Sequence, residues 1–218
     1  MLLSLTLTLV TECRRACPGA RTDRALVAAA TRWLSDAIDA GVDVIQIRER
    51  DMVASTLRDL TRAVVAAAHG MPIRVLVNDR ADVALISGAH GVHLRDDGWP
   101  AARVRALDRE WIIGRSVHHV TTSEVVDGVD CVVFGAVFGS AGKPARGVEA
   151  LRAVVASSPV PVVAIGGVTP DTAPLAIAAG AAGVAAISLF LPPGCAPGAV
   201  GPAEAVSRLR AATGNVYS

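Results

Sequence analysis

The sequence predicts an α/β protein in which eight parallel strands alternate with helices and close into a (β/α)₈ barrel. The chain has 218 residues, and single-domain barrels of this class run to about 200 to 250 residues. Hydrophobic residues make up 52% of the chain and charged residues only 19%, which suits a parallel sheet that is buried on both faces. Short β-branched runs also alternate with Ala-rich amphipathic stretches along the chain.

The strands are predicted from short β-branched runs, each of which ends in polar or glycine-containing residues. In chain order they are residues 5–10, 42–47, 73–77, 91–94, 111–114, 131–134, 160–165 and 183–187. Helices are predicted between them at 24–40, 54–69, 147–156 and 172–179, and a last helix from Pro202. A doubly wound open sheet would need a Gly-rich turn after the first strand. This chain has Thr11-Glu12-Cys13 there, so the barrel is favoured.

Charge and hydropathy exclude several classes of partner. A net charge of +1 offers no broad basic surface for nucleic acid or an acidic membrane. No apolar run reaches the roughly 18 residues of a membrane helix, and the apolar start lacks the basic segment of an export signal. We therefore expect a cytoplasmic protein without nucleic-acid or membrane partners. Exposed apolar helix faces would fit a homodimer.

Two features of composition are interpreted as structural. The four cysteines are scattered, and Cys13 and Cys17 lack a matching His or Cys pair that would complete a zinc site. The Pro/Gly-rich segment 191–202 is predicted to be a loop before the last helix and a spacer rather than a site. We expect one domain over residues 1–218.

Polar residues at the carboxyl ends of the strands are the candidates for function, because the loops after barrel strands share one face. Strand alternation places Gln46, Arg48 and Arg50 on the mouth side and Glu49 on the other. The candidates after strands three, five and six are Asn78, Asp79, Arg115, Ser116, His118, Ser140, Lys143 and Arg146. Together they predict a cationic, hydrogen-bonding pocket for an anion.

Some of these residues have structural alternatives. Asn78 and Asp79 could equally cap the next helix. His90 and His93, which flank the fourth strand, are interpreted as structural or surface residues. Of the two histidines after the fifth strand, His118 is expected to face inward.

A phosphate site is predicted after the last two strands. Strand seven ends in Gly166-Gly167 and strand eight in Ile187-Ser188. Loops at these positions are the usual phosphate cradle of such barrels, with backbone N–H groups binding the anion. The alternative is that the two glycines only form a tight turn.

Six different short segments follow one another at the spacing expected of successive barrel strands. They are Gln46-Ile-Arg-Glu-Arg-Asp51, Val77-Asn-Asp-Arg80, Gly91-Val-His-Leu94, Ile113-Gly-Arg-Ser-Val-His118, Phe134-Gly-Ala-Val-Phe138 with Lys143, and Val163-Ala-Ile-Gly-Gly167. In this order the chain resembles the thiamine phosphate synthase and TenI-like thiazole tautomerase family, from about strand two to strand eight. The resemblance implies a TIM barrel that binds a small phosphorylated thiazole, with its phosphate at Gly166, Gly167, Ile187 and Ser188.

The family resemblance implies one of two activities. The synthase joins hydroxymethylpyrimidine pyrophosphate to thiazole phosphate and releases pyrophosphate, with Mg²⁺ and basic residues stabilising the leaving group. The tautomerase moves protons on thiazole carboxylate phosphate, so it needs an acid/base group and no metal or other cofactor.

The synthase pattern is only partly kept. The matching positions are Gln46, Arg48, Asn78, Asp79, Ser116 and Lys143, and the usual lysine after the second strand is Arg50. The second Mg²⁺ carboxylate of the family ends a Gly-Gln-x-Asp segment, which here is Arg95-Asp96-Asp97-Gly98. A loop shift could let Asp97 substitute, so Asp79 and Asp97 are the metal ligands expected of a synthase. The usual Thr-x-Thr-Lys run is Ser140-Ala141-Gly142-Lys143.

These departures favour the tautomerase, because Mg²⁺ depends on carboxylate charge at its site. The segments Arg48-Glu-Arg50, Gly114-Arg-Ser-Val-His118 and Arg146-Gly-Val148 also resemble that branch. In this hypothesis the catalytic residues are His118, which moves the proton, and Ser116, two residues before it. Arg48, Arg50 and Lys143 hold the substrate carboxylate, and Gln46 and Asn78 also bind substrate. The alternatives are the Mg²⁺-dependent synthase, a non-catalytic barrel that binds thiazole or thiamine phosphates, and an unrelated phosphate-binding barrel.

Overall fold

The computed structural model describes residues 6–119, 126–140 and 142–214, and eight parallel strands of this part form a closed barrel. The strands are β1 (Thr6–Val10), β2 (Val44–Ile47), β3 (Arg74–Asn78), β4 (Gly91–Leu94), β5 (Ile112–Val117), β6 (Cys131–Gly135), β7 (Val162–Ile165) and β8 (Gly183–Ala186). Each strand pairs with the next, and β8 pairs with β1 through Thr6↔Gly183 to Leu9↔Ala186. The predicted barrel is confirmed.

Helices follow the strands on the outside of the barrel. They are α1 (Cys13–Ala16), α2 (Asp23–Asp39), α3 (Ala54–Ala67), α4 (Ala81–Ser87), α5 (Ala101–Arg105), α6 (Val148–Ser157), α7 (Ala173–Ala178) and α8 (Pro202–Thr213), with a 3₁₀ turn at Ser188–Phe190 after β8. No helix within the described ranges is long and apolar enough to cross a membrane.

The strand boundaries differ most from the prediction at β5. The strand continues to Val117, three residues past the predicted end, because Arg115 and Ser116 stay in the ladder beside Val132 and Val133. A prediction from hydrophobic residues ends a strand too early when polar residues continue it. The predicted first residue of β1, Leu5, lies outside the described residues.

Two apolar clusters hold the barrel together. Outward-facing strand residues such as Leu9, Ile45 and Val75 pack with helix residues such as Leu34 and Leu60 in the larger cluster. A small inner cluster contains Val10, Val133, Val163 and Ala185, with Ile165 and Ile187 against it. Full burial of such an aliphatic side chain stabilises the fold by about 1.5 to 3 kcal/mol.

Polar contacts fix helix α8 and the turn after β8. The Asp43 carboxylate accepts hydrogen bonds from the Leu7 amide at 2.7 Å and from Arg210 of α8 at 2.8 Å. The buried indole N–H of Trp33 on α2 donates to the Phe190 carbonyl at 3.0 Å. Helix α2 therefore holds the 3₁₀ turn against the barrel mouth.

Candidate functional site

A cavity of about 540 Å³ opens at the carboxyl ends of the strands, a size typical of small-molecule sites. Of the residues predicted to form the site, those that line it are Gln46, Arg48, Arg50, Asn78, Asp97, Ser116, His118, Ser140, Lys143, Gly166, Gly167, Ile187 and Ser188. Asp79 lines an adjoining cavity of about 450 Å³ instead. The topology thus brings together residues that are far apart in the sequence.

The inner wall of the main cavity has a polar half and an apolar half. Strands β2 to β5 supply the polar half, with Gln46, Asn78, His93 and Ser116. The apolar half lies across the barrel on β1 and β6 to β8, with Val10, Val133, Ile165 and Ala185. A planar ring with one hydrogen-bonding edge fits such a wall.

Amide side chains organise the polar half. Gln46 Nε2 donates to Asn78 Oδ1 at 2.9 Å, and Asn78 Nδ2 donates to Asp79 Oδ2 at 2.9 Å. The N-cap of α4 is Arg80, and no side chain caps that helix end. The alternative that Asn78 and Asp79 cap the next helix is therefore wrong.

The two glycines after β7 combine a tight turn with an anion-binding geometry. Gly166 and Gly167 have φ angles of 95° and 70°, and a Cβ on either would come within 2.5 Å of Ala136 or of the Gly139 carbonyl. The Gly166 carbonyl accepts from Phe138 N and the Gly167 carbonyl from Thr172 Oγ1, both at 2.9 Å. Both carbonyls are bonded within the protein, so an anion at this turn would be bound through N–H groups.

The 3₁₀ turn after β8 completes this part of the wall. The Ile187 and Ser188 carbonyls accept from the amides of Phe190 and Leu191. The Pro/Gly-rich loop that follows returns to the turn through Val200 N, which donates to the Leu189 carbonyl at 3.1 Å. Pro197 and Gly198 of this loop line the cavity, so its prediction as a mere spacer is wrong.

Cationic side chains surround the rest of the mouth. Arg48 is half-buried, and burial together with the nearby charge of Arg50 lowers its pKa. Lys143 is the only lysine in the sequence and lies in a short bridge with Ser140 after β6. Glu49 points to the opposite side, as predicted, where its carboxylate accepts from the Cys13 amide at 2.9 Å.

His118 lies in the cavity wall with one ring nitrogen engaged. Its Nδ1 is 3.3 Å from the Gly135 carbonyl, which can only accept, so a hydrogen bond here requires the proton on Nδ1 and leaves Nε2 facing other partners. Arg146, which we expected in the pocket, instead donates to the His118 carbonyl at 2.7 Å. Arg146 therefore supports His118 from outside the cavity.

Arg115 does not face the mouth, contrary to the prediction. Its guanidinium is buried and donates to the carbonyls of Arg95 at 3.2 Å, Asp96 at 3.1 Å and Trp99. Strand alternation turns Arg115 to the side opposite Ser116. Arg115 therefore shapes the loop after β4.

The loop after β4 places a guanidinium at the expected metal position. Arg95 Nε lies 3.0 Å from Asp79 Oδ2 and 3.6 Å from Asp97 Oδ1, and the Arg95 amide donates to Asp79 Oδ1 at 2.9 Å. A Cβ on Gly98 would lie 3.6 Å from Asp79 Oδ1. Position 98 thus adjoins Asp79, as the resemblance implies, but it supplies no carboxylate.

His93 is a site residue that the sequence interpretation assigned to a structural or surface role. It is buried, its Nε2 is 2.8 Å from Ser116 Oγ, and it lines the cavity. Its Nδ1 is 2.8 Å from where a Cβ on Gly114 would lie, so only glycine at 114 leaves room. The alternation with Val92 and Leu94, whose side chains enter the outer core, could have identified His93 as inward-facing. His90, by contrast, accepts the Val75 amide at 3.0 Å in a structural role.

We expect His93 to make stability depend on pH. Burial, then the charges of Arg48 and Arg115, lower the pKa of His93 from 6.5 to about 4. The unfolded chain therefore binds one more proton between these values, and stability falls as pH drops from 6.5 to 4 by on the order of 3 kcal/mol. Urea unfolding at pH 7 and pH 4.5 measures this loss. His93→Gln retains a partner for Ser116 but cannot titrate, so an equally steep loss in that variant would contradict the assignment.

Comparisons with known proteins show the family of the chain. A family model described as thiamine monophosphate synthase matches residues 20–190. A thiamine-phosphate synthase of Anaeromyxobacter dehalogenans is 39% identical, with 81% of this chain and 79% of that protein covered, and one of Moorella thermoacetica is 39% identical with 80% and 83% covered. The structure of a thiamine phosphate pyrophosphorylase from Pyrococcus furiosus superposes with a TM-score of 0.78 at 28% identity, over 96% of this chain and 95% of that one. The chain therefore belongs to the thiamine monophosphate synthase family.

Proposed function

We propose that this chain is a thiamine-phosphate synthase, which joins hydroxymethylpyrimidine pyrophosphate to thiazole phosphate and releases pyrophosphate. The curated relatives carry this name. The comparisons thus support the synthase, the alternative reading of the sequence, better than the tautomerase that the residue pattern favoured.

The observation that carries the proposal is a pair of separate anion-binding regions around one cavity. The first is the set of N–H groups after β7 and β8, which suits a single phosphate. The second is a group of four cationic side chains from three loops: Arg48, Arg50, Arg95 and Lys143. Four cations exceed what one carboxylate needs and match a diphosphate.

The chain's own residues have separable roles in this reaction. The glycines Gly166 and Gly167 hold the thiazole phosphate, and the apolar half of the wall packs against the rings. The Gln46–Asn78 pair presents hydrogen-bonding groups to a ring edge. The thiazole nitrogen bonds to the methylene carbon of the pyrimidine substrate, and the bond from that carbon to the diphosphate oxygen breaks. Negative charge develops on the departing diphosphate, and Arg48, Arg50 and Lys143 stabilise that charge.

The residues of this chain do not fit the Mg²⁺ site that the family resemblance implies. Asp79 is bound by Asn78 and by both the amide and the guanidinium of Arg95, and position 98 is glycine. Asp97, the expected substitute ligand, approaches the same guanidinium. Within the described ranges, no group of three His, Cys, Asp or Glu side chains could hold a metal ion. No step of the reaction is therefore assigned to a metal.

The synthase is tested by following pyrophosphate release. Purified protein with both substrates is expected to release pyrophosphate, and each substrate alone is not, because bond formation and departure are coupled. Arg48→Ala is expected to lower the rate by about 10²-fold, since it removes one charge from the leaving group. Arg152→Ala, which removes an exposed salt-bridged arginine of α6, serves as the matched control. Equal rates in these two variants would contradict the assigned role of Arg48.

The tautomerase remains a second candidate because of His118. Its Nε2 is available as a base, and Arg146 and Gly135 fix the residue in the cavity wall. Proton exchange on thiazole carboxylate phosphate, followed by ¹H NMR, tests this activity. On the tautomerase hypothesis His118→Asn abolishes exchange, a loss of about 10² to 10⁴ in rate. On the synthase proposal the wild type shows no such exchange.

A further inference from the structure

We propose that the guanidinium of Arg95 takes the place of a divalent cation beside Asp79, so that fixed side-chain charges hold the diphosphate without a metal. This inference rests on the proposed synthase function and deepens it. It concerns the loop between β4 and α5, where this chain departs from the family pattern at both ends of one four-residue segment, Arg95 and Gly98.

Three independent contacts fix Arg95 in this position. Its amide donates to Asp79 Oδ1 at 2.9 Å, its Nε lies 3.0 Å from Asp79 Oδ2, and its carbonyl accepts from Arg115 at 3.2 Å. Asp79 itself has a left-handed backbone, with φ of 57°, and receives Asn78 Nδ2. The backbone of Arg95 and the Asp79 carboxylate are therefore held by the surrounding structure, and the exposed guanidinium is placed by its own contact with Asp79.

Gly98 belongs to the same arrangement. A Cβ at this position would lie 3.0 Å from the Arg95 carbonyl oxygen and 3.1 Å from its nitrogen, which is closer than a side chain usually comes. The loop conformation that presents Arg95 is thus the one that a side chain at 98 would crowd. The glycine at 98, which lacks the family's carboxylate, and the guanidinium of Arg95 therefore belong to the same loop conformation.

Arg95 also lies between the two cavities, where a bound diphosphate would need a cation. It lines both the main cavity and the adjoining cavity, as do Arg50 and Asn78. Without the guanidinium, Asp79 and Asp97 would present two negative charges to the same space and repel a diphosphate. With it, Asp79 is neutralised and the remaining guanidinium N–H groups can donate to phosphate oxygens.

Two binding measurements on Arg95→Ala test the proposal, and neither needs turnover. Titration with inorganic pyrophosphate in EDTA is expected to show binding to the wild type that is about tenfold weaker in the variant, the effect of one charged hydrogen bond. Titration with Mn²⁺ alone is expected to show the reverse, with binding at least about tenfold tighter in the variant, because two carboxylates are uncovered. Arg152→Ala is the control for loss of one exposed, salt-bridged arginine, and it should match the wild type in both titrations.

Two outcomes would overturn the inference: pyrophosphate affinity in EDTA that is unchanged in Arg95→Ala, or wild-type protein that binds Mn²⁺ as tightly as the variant. Should Arg95→Ala fail to fold, Arg95→Gln, which keeps a polar side chain as far as Cδ and loses the charge, is used in its place. A protein that forms no thiamine phosphate but shows both expected titrations would refute the proposed function alone. A protein that forms the product but whose wild type binds Mn²⁺ as tightly as Arg95→Ala does would refute the inference alone.

Discussion

Replacing Lys143 with alanine will lower kcat for thiamine phosphate formation by about 10² to 10³-fold, because one preorganised charge is removed from the developing diphosphate anion. Lys143 is the only lysine among 21 basic residues, and its exposed side chain lies on the cavity wall. Steady-state rates of pyrophosphate release measure the effect. Lys143→Arg keeps the charge and should recover part of the rate.

Chemical modification gives an independent test of the same residue. Reductive methylation will modify Lys143 and the chain's amino terminus, since the sequence has no other lysine. Prior addition of pyrophosphate should protect Lys143 from modification, as judged by peptide mass spectrometry. Equal modification with and without pyrophosphate, together with full activity of Lys143→Ala, would contradict the role of Lys143 at the leaving group.

Substituting alanine for Gly167 will weaken binding of thiazole phosphate by at least about tenfold and destabilise the fold by roughly 1 to 3 kcal/mol. Its φ is 70°, and a Cβ would lie 2.5 Å from the Gly139 carbonyl oxygen and 2.8 Å from Phe138. The loop after β7 must then move away from the loop after β6, and its backbone N–H groups no longer point at the phosphate. Calorimetric titration and urea unfolding measure the two effects.

Gly88→Ala is a matched control for the loss of stability that Gly167→Ala suffers from its left-handed backbone. The φ of Gly88 is 69° and a Cβ there would have no atom within 4 Å, while the residue caps α4 away from the main cavity. Gly88→Ala should therefore lose about 1 kcal/mol of stability from its left-handed backbone and keep full phosphate affinity. If Gly167→Ala binds thiazole phosphate as well as Gly88→Ala does, the phosphate is not held by this turn.

The barrel could be predicted from the sequence because its signal is repeated eight times. Short β-branched runs such as Gly91–Leu94 match β4, and the periodic order of strands and helices fixes where their carboxyl ends meet. The same rule placed Gln46, Arg48 and Arg50 on the mouth side and Glu49 away from it. Successive side chains of a strand point to opposite sides whatever the rest of the fold does, so these directions could be predicted from the sequence.

The contacts of Arg115 and Arg95 could not be predicted, because they depend on the loop after β4, although strand alternation already turns Arg115 to the side opposite Ser116. Arg115 is a cation at a strand end, but it satisfies three carbonyls of the loop after β4. Arg95 looks like an ordinary exposed arginine, and only the fold brings it to Asp79. His93 was interpreted as structural or surface because it flanks the fourth strand, although alternation with Val92 and Leu94 indicates an inward side chain. The space that Gly114 leaves for its ring on the neighbouring strand is a property of the fold.

The central claim is that this cavity joins two phosphorylated substrates, and identification of the product by mass spectrometry tests it most directly. Protein at a concentration equal to that of both substrates is incubated in EDTA and, separately, in Mg²⁺. The account predicts thiamine phosphate in both samples, with none when either substrate is omitted. The absence of thiamine phosphate from both samples, with folded protein that binds thiazole phosphate, would contradict it.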